Sequence, residues 1–476
     1  MEYFTERERK IPVADDVDVL VAGGGVSGIV AAVAAARNGA RTLLVERLGW
    51  LAGHLDAGWG AGTVGFVFQD AQGKQIMKGI CWELLERIKR MGAALGASRR
   101  RFLRNTWPYK TENRVFRPQI MQEAGKQVAF EMVEEAGVRL LLHTFIADVV
   151  VEDSCVKGII IENKSGRQAL LAKVVVDCTG DADIAARAGV PFDQTGKEKT
   201  YQVSRSFLLA NVDTEAIRRK IVDHVDEYAY VMEPLEVPEG LQHPIMAMPW
   251  KVEDLEVTED GRHLKGPKGS HSSESVGIMA GIMGIGFSVD GVDGTNAWEV
   301  SRAEVQIRKK VFERWLRLRR ERAEYADSLL LPGSVDLGVR ETRRIRGEYT
   351  ITMRDIDEGR RFEDAIAQSM IALDCHHPGG VWEELAPKDT YDLPYRILVP
   401  KRIEGLLVAG RCVSTDHMAL AALRKIPVCM ALGQAAGTAA ALSASKGVFP
   451  RNLDISELQR TLLSQDVPLR DGLPVR

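Results

Sequence analysis

The segment from Asp18 to Glu46 constrains this chain more than any other. Asp18-Val-Leu-Val-Ala22 is a short apolar run of the kind buried on both faces of a parallel sheet, and it runs straight into Gly23-Gly24-Gly25-Val26-Ser27-Gly28. Ile29 to Arg37 is alanine-rich and favours a helix, Asn38-Gly39 supplies its stop, and Thr42 to Val45 reads as a second strand ending at Glu46. Few folds use the order strand, tight turn, helix, strand, acid.

Chemistry explains the spacing. Gly23 permits the sharp turn, Gly25 lets backbone N–H groups reach a pyrophosphate with no side chain between, and Gly28 lets helix and strand pack closely. The pyrophosphate sits at the positive end of the helix, where Val26 and Ser27 stand. Glu46, 18 residues after Gly28, falls where a carboxylate accepts hydrogen bonds from ribose hydroxyls, with Arg47 beside it. A merely structural glycine turn needs neither the helix nor the acid, so the segment points to a dinucleotide.

The rest of the composition narrows the class. A chain of 476 residues predicts two or three domains, or one large domain with an insertion. Hydrophobic residues make up 45% and charged residues 27%, and 63 basic against 66 acidic side chains leave a net charge of -3. That balance excludes a disordered chain, collagen and a general polyanion-binding surface. Glycine is the outlier, with 44 residues. The six cysteines form no Cys-x-x-Cys pair, which argues against a zinc ribbon or an iron–sulfur cluster and for reduced thiols; no metal is expected. No stretch reads as a signal peptide or a spanning helix, so the expectation is a cytoplasmic protein without membrane insertion. The basic positions of 301-325 interleave with glutamates and read as a solvated helix face, and no nucleic-acid partner is expected.

Further segments carry a resemblance. Val21 to Glu46, Val174 to Gly189, Leu406-Leu-Val-Ala-Gly-Arg-Cys412 and Gly433 to Ala440 resemble the FAD-dependent oxidoreductases related to fumarate reductase and succinate dehydrogenase flavoproteins, as do Arg340-Glu-Thr-Arg-Arg344 and Tyr391 to Arg396. The likeness runs from about residue 17 to about residue 445. It implies a glutathione-reductase-like α/β fold: a Rossmann-type FAD-binding domain with an inserted substrate or cap domain. The boundaries read as 1-195 for the first part of the FAD domain, 196-330 for the cap and 331-476 for the return. FAD is the implied cofactor. Thr179, Gly180 and Asp181 would come close to the first phosphate loop, Gly410 and Arg411 would meet the pyrophosphate and ribityl, and a helix starting near Gly433, with Ala436, would aim its positive end at the flavin. Gly281-Ile-Met-Gly-Ile-Gly286 lacks the spacing of a second, nicotinamide-binding unit.

The same resemblance sets out the catalytic candidates. Gly53 to Gly62 resembles the segment lining the isoalloxazine, and His54, eight residues after Glu46, stands where related flavoproteins carry the histidine joined to the flavin. Covalent attachment, a non-covalent wall and plain packing are all open there. Adjacent side chains of an extended strand point opposite ways, so His376 and His377 rarely bind one ion together; a role for one of them in the active site and a satisfied structural histidine are both open. His417, Arg344 and Arg424 are candidates for handling the proton or the substrate, with Arg340, Tyr391 and Tyr395 behind them, and Arg340-Glu341 reads equally as a structural ion pair. The expected activity is hydride transfer between a small polar substrate and flavin N5, through CH–OH or CH–CH oxidation or reduction of an activated C=C. The alternatives are a flavin-containing electron-transfer subunit, with a protein as electron acceptor, and a flavin-binding protein without catalysis. Homo-oligomer formation is left open.

Overall fold

A computed structural model describes residues 8–55, 74–94, 120–224, 280–334 and 336–470 continuously, with short stretches elsewhere. The central sheet is built from β1 (Val13–Ala22), β2 (Thr42–Val45), β3 (Arg139–Leu141), β4 (Phe145–Glu152), β5 (Cys155–Asn163), β6 (Gly166–Asp177) and β7 (Leu406–Val408). The strand order is β3-β2-β1-β6, all parallel. The long β6 then serves two neighbours. Its first half pairs antiparallel with β5, which pairs with β4, and its last three residues pair in parallel with β7.

Val19 to Ala22 are fully buried, as a strand covered on both faces demands. Ala22 lies level with Val45 and with Asp177, and Val408 is level with Asp177. Four parallel strands therefore end in one row. In sheets of this kind ligands bind outside that row of carboxyl ends.

Three helices matter most: α1 (Val26–Arg37), α2 (His417–Leu423) and α3 (Ile426–Lys446). α3 begins at Ile426, not near Gly433 as expected; Pro427 sits in its first turn, where its missing N–H costs nothing. Gly433 and Gly437 serve packing. A Cβ on Gly433 would stand 2.3 Å from the Ser27 carbonyl, and one on Gly437 2.0 Å from that of Ala31. The pairing of Ser27 with Gly433 and of Ala31 with Gly437 makes α1 and α3 parallel neighbours at backbone contact. α3 is also long and apolar enough to cross a membrane, but 83% of its most apolar stretch is buried inside the protein, as a core helix should be.

The middle of the chain forms a second sheet whose core joins Val203, Phe207, Ile285, Ile307 and Leu337. It reaches beyond the expected 196-330 on both sides. Strands Ser98–Phe102 and Arg114–Val115 add to one end of it, and strand His263–Lys265 leaves to pair with Val381–Leu385. Composition gave no sign of this exchange, because strand partners distant in sequence leave no local pattern.

Candidate cofactor and catalytic site

At the row of strand ends the glycine turn behaves as its spacing predicts. Gly23 has φ +99°, a left-handed conformation that side chains rarely adopt. A Cβ on Gly28 would lie 1.7 Å from the Gly23 carbonyl oxygen, so only glycine lets helix and turn close up. Gly25 differs, because nothing lies within 4 Å of the place its Cβ would take. The space beside it is open for a phosphate, and Gly53 approaches from the far side, with its own Cβ position 3.1 Å from Gly25 Cα. Glu46 ties acid and turn together, accepting from Gly24 N–H at 2.6 Å and Leu48 N–H at 2.8 Å.

Two helix N-termini point this way. Neither α1 nor α3 has a side-chain cap or an acidic residue in its first turn, so each presents unneutralised positive charge. Ser27 in the first turn of α1 donates to the Cys429 carbonyl of α3 at 2.8 Å, and since Ser27 also lies against Gly433, α3 begins more than a turn ahead of α1. That bond uses the Ser27 hydroxyl, expected at the phosphates, for helix packing. Gly433 and Ala436, also expected at the cofactor, lie buried inside α3, with Gly433 against α1. Arg47 pairs with Asp336 in an exposed ion pair instead of turning inward.

The turn after β6 links this crevice to the middle of the chain. Thr179 donates to Asp177 at 2.7 Å, and Gly180, at φ +81°, lies beneath the Arg411 guanidinium. Arg411 donates to Asp181 at 2.7 Å and to Thr342 at 3.0 Å, and Thr342 donates to Asp181 at 2.7 Å. Burial opposes ionisation of Asp181, but the Arg411 charge and the Thr342 bond outweigh it and hold the carboxyl below its ordinary range. Gly410 brings this segment against α1, its Cβ position 2.7 Å from Ser27 Oγ.

Next to Thr342 stands Glu341, the hub of a buried cluster. Its carboxylate accepts from Thr195 Oγ1 at 2.6 Å, pairs with Arg344 and faces His417 Nδ1 at 2.9 Å. Burial would raise its pKa, yet His417, Thr195 and Arg344 together keep it below the usual carboxylate range. Tyr201 stacks on the His417 ring, centroids 4.4 Å apart, and its hydroxyl donates to the His417 backbone carbonyl at 3.1 Å. A cavity of about 300 Å³, at the small end for ligand sites, opens beside the cluster, lined by Thr195, Lys197, Thr200, Asp293, Glu341 and Thr342 among others.

The remaining candidates divide. On strand Leu373–His377, His376 reaches Asp374 at 3.2 Å and His377 reaches Glu383 at 2.6 Å. Asp374 also pairs with Lys425 and Arg424 and accepts from Trp382 Nε1 at 2.7 Å. Burial works against its charge, and His376, Lys425 and Arg424 nonetheless hold it well below the usual range. Arg424 lies 5.8 Å above the Tyr201 ring, so the two histidine clusters share one aromatic. Arg340 donates to the Gln202 carbonyl at 2.6 Å; the ion pair of this segment is Glu341 with Arg344. Tyr391 and Tyr395 are fully buried and donate to the carbonyls of Ile371 and Pro450. Among the described residues no group of three or more His, Cys, Asp or Glu is placed to hold a metal ion. The His54 side chain and residues 56–62 lie outside the described residues.

A strand-end crevice with an open glycine cradle and two positive helix ends is the site of a dinucleotide-binding protein of Rossmann type. The sequence profile of FAD dependent oxidoreductases matches residues 18–462, almost the whole chain. The protein belongs to that family and is an FAD-dependent enzyme. Among solved structures, a geranylgeranyl bacteriochlorophyll reductase-like protein from Thermoplasma acidophilum is 13% identical, with 97% of this chain and 94% of that one aligned and a TM-score of 0.43. An aromatic hydroxylase from angucycline biosynthesis is 14% identical over 94% and 65%, TM-score 0.46. The p-nitrophenol 4-monooxygenase of Pseudomonas putida is 12% identical over 97% and 91%, TM-score 0.43. None of the curated proteins compared matches the sequence.

Proposed function

We propose that the protein transfers a hydride between a carbon of a small polar substrate and FAD, and that His417 handles the accompanying proton. The flavin, when bound, supplies the two-electron acceptor or donor. The single observation that carries the reading is the continuous contact from Arg411 and Asp181, at the strand ends, through Thr342 to Glu341 and His417. It sets a histidine–carboxylate pair and a small polar cavity next to the dinucleotide crevice.

In this pair the Glu341 carboxylate holds His417 through Nδ1, which leaves Nε2 to face a substrate. Arg344 and Thr195 hold the carboxylate, and Tyr201 holds the imidazole plane, so the base is oriented before substrate arrives. The residues suit CH–OH or CH–CH oxidation and, run in reverse, reduction of an activated C=C. The narrower kinship with fumarate reductase flavoproteins is part of this reading.

The test is anaerobic mixing of the holoenzyme with a panel of organic acids, sugars and cyclic enones while flavin absorbance is followed. Bleaching by an alcohol or acid, or reoxidation of reduced flavin by an enone, supports the reading. If no compound changes the flavin while a redox protein does, the electron-transfer alternative takes its place.

A further inference from the structure

Helix Ala297–Glu321 has two apolar faces where a surface helix ordinarily has one. Ala303, Ile307 and Val311 are buried in the core of the middle unit. Trp298, Val305 and Phe312 recur every seven residues, and at ~100° per residue Leu316 falls on the same line, opposite the buried face. These four are 80%, 55%, 53% and 51% exposed. Over the 19 residues from Trp298 to Leu316 the line is about 27 Å long.

Basic side chains border it on both sides. Arg302, Lys309 and Arg320 flank one edge, Arg308 and Arg319 the other, and all five are exposed. Neither Arg302 nor Lys309 forms a salt bridge among the described residues. The whole helix carries eight arginines and lysines against four glutamates, although the chain as a whole is acidic. Glu299 and Glu304 pair with Lys197 and Arg205; Glu304 also reaches Arg308 at 3.8 Å and Glu321 reaches Arg320 at 3.1 Å, which leaves Arg302 and Lys309 as the unbridged cations of their edge among the described residues.

We propose that this ridge docks the protein on an anionic lipid surface. A second copy is a poor occupant: an antiparallel pairing of two such ridges would set like-charged flanks against each other. An acidic peptide needs a groove, and this surface is the convex outer side of a helix. A flat bilayer face accepts the four apolar side chains at its headgroup boundary and presents phosphates to both basic edges. Trp298, apolar in body with one polar N–H, suits that boundary. Docking of this kind is peripheral and leaves the buried face of the helix in place. It stands on different residues from the hydride-transfer reading and holds or fails without it.

The experiment is co-sedimentation of the FAD-loaded protein with vesicles of phosphatidylcholine alone or with about one third phosphatidylglycerol, at low and high salt. Binding to the anionic vesicles only, weakened by salt, is expected. Phe312→Glu/Leu316→Glu and Arg302→Glu/Lys309→Glu should each lower the partition by ~10-fold or more while flavin absorbance and melting temperature stay unchanged. Phe312→Ser/Leu316→Ser replaces the first pair if that pair fails to fold. Absence of binding to anionic vesicles, equal binding to both kinds, or variants that bind like the native protein would each overturn the proposal. So would a dimer in sedimentation velocity that Phe312→Glu converts to monomer, since the ridge would then belong to a second copy.

Discussion

His417 Nδ1 lies 2.9 Å from Glu341 Oε2, and Arg344 pairs with the same carboxylate. Both partners of the ion pair are buried, so removing only the carboxylate strands a guanidinium in the interior. Glu341→Ala should cost roughly 3–5 kcal/mol in denaturant unfolding, and Glu341→Ala/Arg344→Met should recover much of it. A double variant no more stable than the single one would mean that Arg344 finds another partner.

The open space at Gly25 and the crowded space at Gly28 make opposite predictions from the same substitution. Gly25→Ala fits the apoprotein, because its φ of -70° suits alanine and no atom lies near the new methyl. Its stability without FAD should match the native chain while FAD affinity falls, measured by flavin release on dilution. Gly28→Ala drives a methyl into the Gly23 carbonyl, so it should lower apoprotein stability as well, by ~1–3 kcal/mol. Equal apoprotein stability for the two variants would remove the distinction.

The glycine turn was legible because it is local: strand, turn, helix and acid occupy one run of residues, and each has its own periodicity or spacing. The start of α3 was misplaced for a related reason. Gly433 to Gly437 reads as the start of a helix aimed at the flavin, but the same small residues serve two helices at backbone contact, and Pro427 marks the true start. The hub of the histidine cluster was only half visible. Adjacency offers Glu341 an ion pair with Arg340 as one reading, whereas i, i+3 spacing joins it to Arg344, and His417 reaches it from 76 residues away. Thr195, Tyr201 and Asp374 carry no motif at all, and no one-dimensional pattern separates them from ordinary core residues.

The contact between α1 and α3 has a measurable consequence for the flavin. Gly433→Ala or Gly437→Ala would place a methyl within 2.3 Å or 2.0 Å of a carbonyl oxygen on α1, so the helices must move apart. The strain should cost ~1–3 kcal/mol and, because Ser27 links the two helices, should also loosen FAD. Loss of stability with unchanged flavin affinity would show that the crevice tolerates the shift.

Acid should release the structure through its paired carboxylates. Glu341, Asp181 and Asp374 all have folded-state pKa values below their ordinary range: burial opposes their charge, and their basic partners outweigh it. A depressed folded value means that the unfolded chain binds the proton first. The stability from these groups is therefore present at neutral pH and is lost as pH falls through their folded values, with the decline starting below about pH 5. Asp177 works in the opposite sense, since burial raises its pKa and its hydrogen bonds only partly offset that. Its burden on the fold is relieved by the same acid, so it blunts the decline without reversing it, one group against three. Melting temperature of the holoenzyme between pH 7 and pH 3 should fall steadily, and Asp374→Asn should make the fall shallower. A melting temperature independent of pH over that range would mean that these carboxylates are not held ionised by their partners.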